Sequence, residues 1–444
     1  MDTRTTPALA DLATATPPGR NRAIDLYRVV AMVAVAVGHW LVLAVGTDDD
    51  GELFARNALE VAPEFAPVTW LFQVMPLFFA VGGFASAMSL DAHRRRQGSD
   101  GDWIVQRLRR LVAPTAALAS VWLALLVVGG LAGVGGLVAL GAIGAAIPLW
   151  FLANYTIDTA LAPTMYSALQ RSRAATMAGL VGVFALVEIL HVVVGVPWIE
   201  HLNWVLGWLL FQMIGFLWRD GVLPSGGCLA GVAAVLWAAA IAMVALGPWS
   251  ASMIHVSGQP FSPTHPPSIA LVLFGLAQTA TAIAAAPAVT RWLERSRRAW
   301  GVVIAGNSVS MSVYLWHFTA AVGASAVLYG VGRLPASEVG SAAWWFEKIP
   351  VLLVSLVLLV PIVAVVSPVE RRALSAERST WNGRASVAVG LAMLVSTSIK
   401  LWSAGSVTAV AAGAVGVMVA GLLLRRPSLG WMRGRVDTST RAAT

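Results

Sequence analysis

The chain has 444 residues, 58% of them hydrophobic and only 12% charged, with a mean hydropathy of +0.75. So little charge excludes a soluble domain of this length, whose exterior it would leave bare. The formal net charge of +8 invites a nucleic-acid partner, but the cations are distributed by membrane side, as shown below, which argues against one.

Cys228 is the sole cysteine, which excludes an intrachain disulfide and a cysteine-based metal site. No metal is expected. Residues 1–20, rich in Pro, Ala and Thr, read as a disordered cytoplasmic tail. No cleavable signal peptide is expected, because the first apolar run continues beyond about 15 residues with no A-x-A-like site behind it.

Repeated apolar runs of about 20 residues define an all-α polytopic membrane helix bundle. The pattern predicts about 12 spans, near 24–46, 67–90, 111–133, 146–168, 176–195, 202–219, 227–247, 267–287, 301–330, 350–367, 385–402 and 405–424. With the N-terminus inside, 26 of the 30 lysines and arginines fall on the inner side, and only Arg56, Arg333, Lys348 and Lys400 fall outside. This asymmetry places both termini in the cytoplasm. The first outer loop is acidic, from Asp48 to Glu64.

In the first span, Arg28 and His39 are the strongly polar residues of the stretch from Arg28 to Gly46. Eleven positions at about 100° each bring them to one helix face, roughly 16 Å apart along the axis. Asp25 shares that face, three residues before Arg28 and near enough to pair with it. Ionisable groups inside a membrane segment suggest a functional site; a packing histidine bonded to a neighbouring backbone is the competing reading. The second span carries Q-V-M-P-L-F-F-A-V-G-G-F from Gln73 to Phe84. There Pro76 predicts a kink and Gly82-Gly83 a close helix contact.

The next inner segment holds Arg94-Arg95-Arg96 and then R-L-R-R-L-V-A-P. Arg107 and Arg110 stand at i and i+3, a register in which two guanidiniums grip phosphate oxygens; a lipid-facing basic anchor is the alternative. Trp150 fits an interfacial anchor or a cavity wall equally well. The outer segment from His255 to Ser268 is loop-like, rich in Pro, Ser and Gly. In the ninth span Asn307, Ser310, Tyr314 and His317 recur at three- and four-residue steps. Such a polar stripe faces a cavity or forms a structural hydrogen-bond ladder.

Taken together, these pieces resemble the acyltransferase-3 family of integral membrane O-acyltransferases. The match rests on Arg28, ten residues, then His39, preceded by Asp25; on Arg107-x-x-Arg110 with Pro114; and on the P-L-F-F…G-F, L-W-F-L and N-S…Y-L-W-H elements. It covers roughly residues 20 to 372. The resemblance implies a ten-helix membrane domain over 21–372, two additional helices over 373–424 and a basic cytoplasmic tail over 425–444. It also implies a multi-pass enzyme of the plasma (inner) membrane. The expected donor is acyl-CoA, acetyl-CoA in the first instance, with Arg107 and Arg110 at its phosphates. The acceptor is a hydroxyl on a glycan, glycolipid or small molecule. His39 is then the general base, with Arg28 and Asp25 as further site residues on the same helix, Asp25 being roughly 21 Å away and too far to orient His39 directly. Asn307, Ser310, Tyr314, His317 and Trp150 would line the cavity, and Asn307, Tyr314 or His317 would supply oxyanion donors. A secondary transporter of the 12-helix type is the rival reading. The run from Asp91 to Arg96 is reminiscent of one but lacks its framing glycines, and no internal repeat is evident.

Overall fold

The structure is a computed structural model that describes residues 16, 19–47, 53–224, 226–259, 261–375 and 415–416. The expected spans at 385–402 and 405–424, and the basic tail, lie outside these apart from residues 415–416. Among the described residues nine helices are long and apolar enough to cross a membrane. The architecture is an all-α polytopic bundle.

Helix α1 spans Arg22–Val42. Asn21 caps it, its side-chain oxygen accepting from the Ile24 amide at 3.1 Å, and Asp25 adds negative charge to the first turn, where the helix dipole favours it. The helix stops short of residue 46. Leu43–Thr47 (β1) instead pairs antiparallel with Leu53–Asn57 (β2), Leu43 opposite Asn57 and Thr47 opposite Leu53. Apolar periodicity could not locate this end, because the carbonyls freed there are capped from far along the chain.

The second span is broken. Thr69–Phe72 (α2) and Met75–Arg95 (α3) are separated at Gln73, with Pro76 in the first turn of α3. Gln73 satisfies the break from both sides. Its side-chain oxygen accepts from the Met75 amide at 3.2 Å, and its amide group donates to the Met253 carbonyl at 2.6 Å. Its own carbonyl accepts from Gln278 at 2.9 Å. A helix break inside a membrane protein survives only with such replacements.

There follow α4 (Asp100–Leu131), α5 (Gly135–Ala146), α6 (Leu149–Arg171), α7 (Arg173–Val192) and α8 (Asn203–Arg219). The described chain continues through α9 (Gly226–Leu246), α10 (Ile269–Arg295), α11 (Arg297–Gly330) and α12 (Ala342–Ser375). Helix α8 has 17 residues, about 26 Å of rise. It is a central element, buried from Gly207 through Met213. Helices α7 and α9 are exposed along most of their apolar length, as a lipid-facing surface requires.

The centre is held by backbone-to-backbone contact between α3 and α8. A Cβ added at Gly83 would lie 2.1 Å from the Gln212 carbonyl oxygen, and one at Gly215 would lie 2.0 Å from that of Ala80. Small residues at a helix crossing permit this approach. Gly83→Ala and Gly215→Ala are each expected to push the two helices apart, costing about 1–3 kcal/mol. Thermal unfolding in detergent measures the loss. Gly179→Ala, which meets nothing within 4 Å, is the control expected to leave the midpoint unchanged or raised.

Candidate active site

Helix α1 packs lengthwise on α11, and the polar stripes of the two helices meet. At the end near residue 25, the Asn307 amide donates to the Asp25 carbonyl at 2.9 Å and to its own helix at the Val303 carbonyl, 3.2 Å. Ser310 donates to the Asn307 carbonyl at 3.1 Å. The Asp25 carboxylate does not pair with Arg28. It is held by Arg20 at 2.5 Å, two residues ahead of the helix, which folds back over the first turn. Arg28 lies instead within electrostatic range of Arg107, as does Arg110.

The arginine pair itself divides. Arg107 is half-buried; it donates to the Ala85 carbonyl at 3.2 Å and to Ser89, and its guanidinium lies 5.3 Å from the Trp103 ring centre. Arg110 is exposed. Three cations from two helices thus gather at this end, with one side chain anchored and one open to solvent.

Near the other end of α1, His39 and His317 form a hydrogen-bonded pair, Nδ1 of His39 to Nε2 of His317 at 3.0 Å. The rings stack at 5.1 Å with 19° between planes. His317 is completely buried. Its Nδ1 contacts the Tyr314 carbonyl at 2.6 Å. A carbonyl only accepts, so His317 Nδ1 carries the proton and its Nε2 is the acceptor. His39 Nδ1 must then be the donor, and the neutral His39 ring keeps its lone pair on Nε2. Trp40, the next residue, donates from its indole to the His317 carbonyl at 2.9 Å, tying the pair together a second time.

The Tyr314 hydroxyl donates to the Pro148 carbonyl at 2.5 Å. Tyr314 and Asn307 therefore have their donors committed to backbone oxygens, which leaves neither free for an oxyanion. Trp150 is two rings away from Tyr314, through Phe151, which sits 5.1 Å from the Tyr314 ring. It packs with Trp204 and Trp208 in an aromatic cluster.

The segment from Ser250 to Ser268 is not a free loop. Trp70 and Gln73 donate to its carbonyls at Ala251 and Met253, and Thr69 accepts from the Met253 amide at 2.8 Å. Within it the rings of His255 and His265 stack at 4.1 Å, and His265 abuts Trp204 edge-on at 4.9 Å. The acidic-basic run that resembles a transporter loop is the end of α3. There Asp91 pairs with Arg219, and Arg94 makes two 2.8 Å bonds to Asp100. Tyr166 and Asp220 complete that network.

Two buried ionisable residues escaped the sequence reading. Asp158, 1% exposed in α6, is the one carboxylate of its own apolar helix, a signal that composition alone carries. Lys348, assigned above to an outer loop, is buried inside α12; its partners are far away in sequence, and no local pattern announces them. Among the described residues no cluster of three or more His, Cys, Asp or Glu is arranged to hold a metal ion.

The bundle thus joins α1 and α11 through a hydrogen-bonded histidine pair. The acyltransferase-3 family, described as an acyltransferase domain, matches residues 21–369. The chain belongs to that family and is a membrane acyltransferase. No curated protein and no solved structure matches it.

The outer histidines generate a pH test. Burial, then the neighbouring His255 and His201, pushes His265 down to about 3, and burial lowers His255 against the pull of Glu60. Unfolded histidine titrates near 6.5. As pH falls below that, the opened segment takes up protons that the packed one refuses, so its stability is lost between about 6.5 and 3. The hydrogen-exchange protection factors over residues 250–268, each corrected for the intrinsic exchange rate at its pH, are expected to fall from pH 7.5 to 4.5, and His265→Phe, which keeps the ring contact with Trp204, is expected to flatten that dependence.

Proposed function

We propose that the protein transfers an acyl group, acetyl in the first instance, from cytoplasmic acyl-CoA to a hydroxyl of a glycan, glycolipid or small molecule at the outer half of the membrane. His39 is the general base. The reading is carried by the tautomer argument: a buried carbonyl sets the proton positions so that His39 Nε2 is an unprotonated nitrogen on the first membrane helix. An imidazole in this state presents a lone pair that can accept a hydroxyl proton.

In this scheme Nε2 takes the proton as the hydroxyl oxygen attacks the thioester carbon. The tetrahedral intermediate collapses with cleavage of the carbon–sulfur bond. The thiolate recovers the proton from the imidazolium, which leaves an ester, free CoA and a neutral His39. His317 orients the base by accepting from its Nδ1. It is a positioning residue, itself held by the Tyr314 carbonyl. Asp25, engaged by Arg20, sets the start of α1 and takes no part in the chemistry.

Arg28, Arg107 and Arg110 are assigned to the donor's phosphates. The separation of about 16 Å between Arg28 and His39 suits a donor whose charged end and thioester lie at opposite ends of a long thin arm. The domain limits follow the same reading: an acyltransferase domain over 21–372 with both termini cytoplasmic in the inner membrane, and two further helices over 373–424.

His39→Ala is expected to lower transfer by about 10²–10⁴-fold. His317→Phe removes the acceptor for Nδ1 and is expected to give a smaller loss in kcat, with donor KM unchanged. Arg110→Ala is expected to raise donor KM, by a factor that narrows at high ionic strength as salt screens the charge in the parent. The measurement is label transferred from radioactive acetyl-CoA to hydroxylamine-sensitive ester in membrane vesicles carrying each variant at matched abundance. Full transfer by an inserted His39→Ala protein ends the assignment.

A further inference from the structure

Lys348 is 2% exposed, although it lies only six residues into α12, where a lysine ordinarily extends its ammonium to water. Its ammonium instead turns inward and donates to the carbonyls of Leu41 and Leu43, each at 2.6 Å. It lies 4.1 Å from the ring centre of Trp344, a cation–π contact that offsets part of the lost hydration. A charge buried in this way is costly unless its contacts do something for the fold or the site.

The two carbonyls locate that purpose. Helix α1 ends at Val42, so His39 sits in its last turn. The last four carbonyls of a helix have no partner within it, and terminal turns fray first. Here the His39 carbonyl accepts from the Leu43 amide, and the carbonyls of Leu41 and Leu43 accept from Lys348. A cation at a helix C-terminus also matches the local dipole. Beyond Leu43 the chain changes direction into the β1–β2 hairpin, so without the clamp the turn bearing His39 would have an extended segment pulling on it.

Lys348 also borders a cavity of about 10 Å³ shared with Trp40 and Ser325, room for one water molecule. Trp40 is the residue whose indole holds the His317 carbonyl. Clamp, helix end and histidine pair are therefore one packed unit.

We infer that Lys348 is a positioning residue for acyl transfer, which fixes the last turn of α1 by bridging the Leu41 and Leu43 carbonyls and thereby sets where His39 Nε2 meets the reacting hydroxyl. The inference rests on the reading of His39 as the base.

The test compares Lys348→Met, His39→Ala and the double variant in vesicles with radioactive acetyl-CoA as donor, normalised to folded protein. Lys348→Met is expected to lower kcat tenfold or more, since small displacements of a catalytic group are that costly, with donor KM within about twofold. Added to His39→Ala, it is expected to cause no further loss, because a residue acting through His39 has nothing left to position. A full kcat in Lys348→Met while His39→Ala is inactive overturns the clamp and leaves the base intact. An equal loss in both backgrounds overturns it too, by assigning Lys348 to general structure. Full activity in His39→Ala defeats the base reading first. Should Lys348→Met not fold, Lys348→Gln, a neutral amide too short to span both carbonyls, carries the same comparison. Hydrogen exchange over residues 39–47 must then be faster than in the parent, and unchanged exchange overturns the clamp.

Discussion

A backbone carbonyl can only accept a hydrogen bond, and the Tyr314 carbonyl sets the polarity of the groups attached to it. It fixes the proton on His317 Nδ1, which fixes the proton on His39 Nδ1, which leaves His39 Nε2 unprotonated, the nitrogen proposed above as the base. In water this order would be diluted by exchange with solvent. Inside a low-dielectric helix bundle, each link is electrostatically stronger and each alternative leaves a polar atom unpaired. The pair is also braced crosswise by Trp40, so the two helices cannot slide without breaking both contacts.

The same accounting separates the polar residues of the bundle into two kinds. Some are staples whose donors end on backbone oxygen: Asn307 on Asp25 and Val303, Tyr314 on Pro148, Gln73 on Met253, Lys348 on Leu41 and Leu43. They occur where a helix starts, breaks, ends or crosses another, which is where free carbonyls arise. Others retain unused capacity, and the chemistry is assigned among these: Nε2 of His39, and Arg28 once Arg20 has taken Asp25. A polar stripe read from sequence mixes the two kinds, because residue type and spacing are the same for both.

That mixture explains what was legible beforehand. The shared face of Arg28 and His39 follows from helical period alone, and so does the stripe from Asn307 to His317. Their meeting across α1 and α11 was not readable, since nothing local states which stripe opposes which. Asp25 was assigned to Arg28 by proximity in sequence, whereas Arg20 reaches it from outside the helix, where no periodicity applies. The end of α1 at Val42 and the role of Lys348 are a single omission seen twice. An apolar run does not reveal its end when the capping cation comes from some 300 residues later. Pro76 and Gly83 were more legible, because proline and glycine act through their own backbone.

In the proposed reaction, the choice of a second histidine, rather than a carboxylate, to orient the first has a physical rationale in a membrane. A carboxylate behind the base would stabilise the imidazolium formed during transfer, as in soluble triads. It would also keep a charge buried through every resting state, at a steep cost in a low-dielectric bundle. A neutral imidazole backed by a carbonyl orients the base equally well and carries no charge between turnovers. The positive charge then exists only while the proton is in transit. The base gains less electrostatic help, and the helix that carries it must be placed more accurately in compensation. The buried ammonium spent on the end of α1 is consistent with that demand.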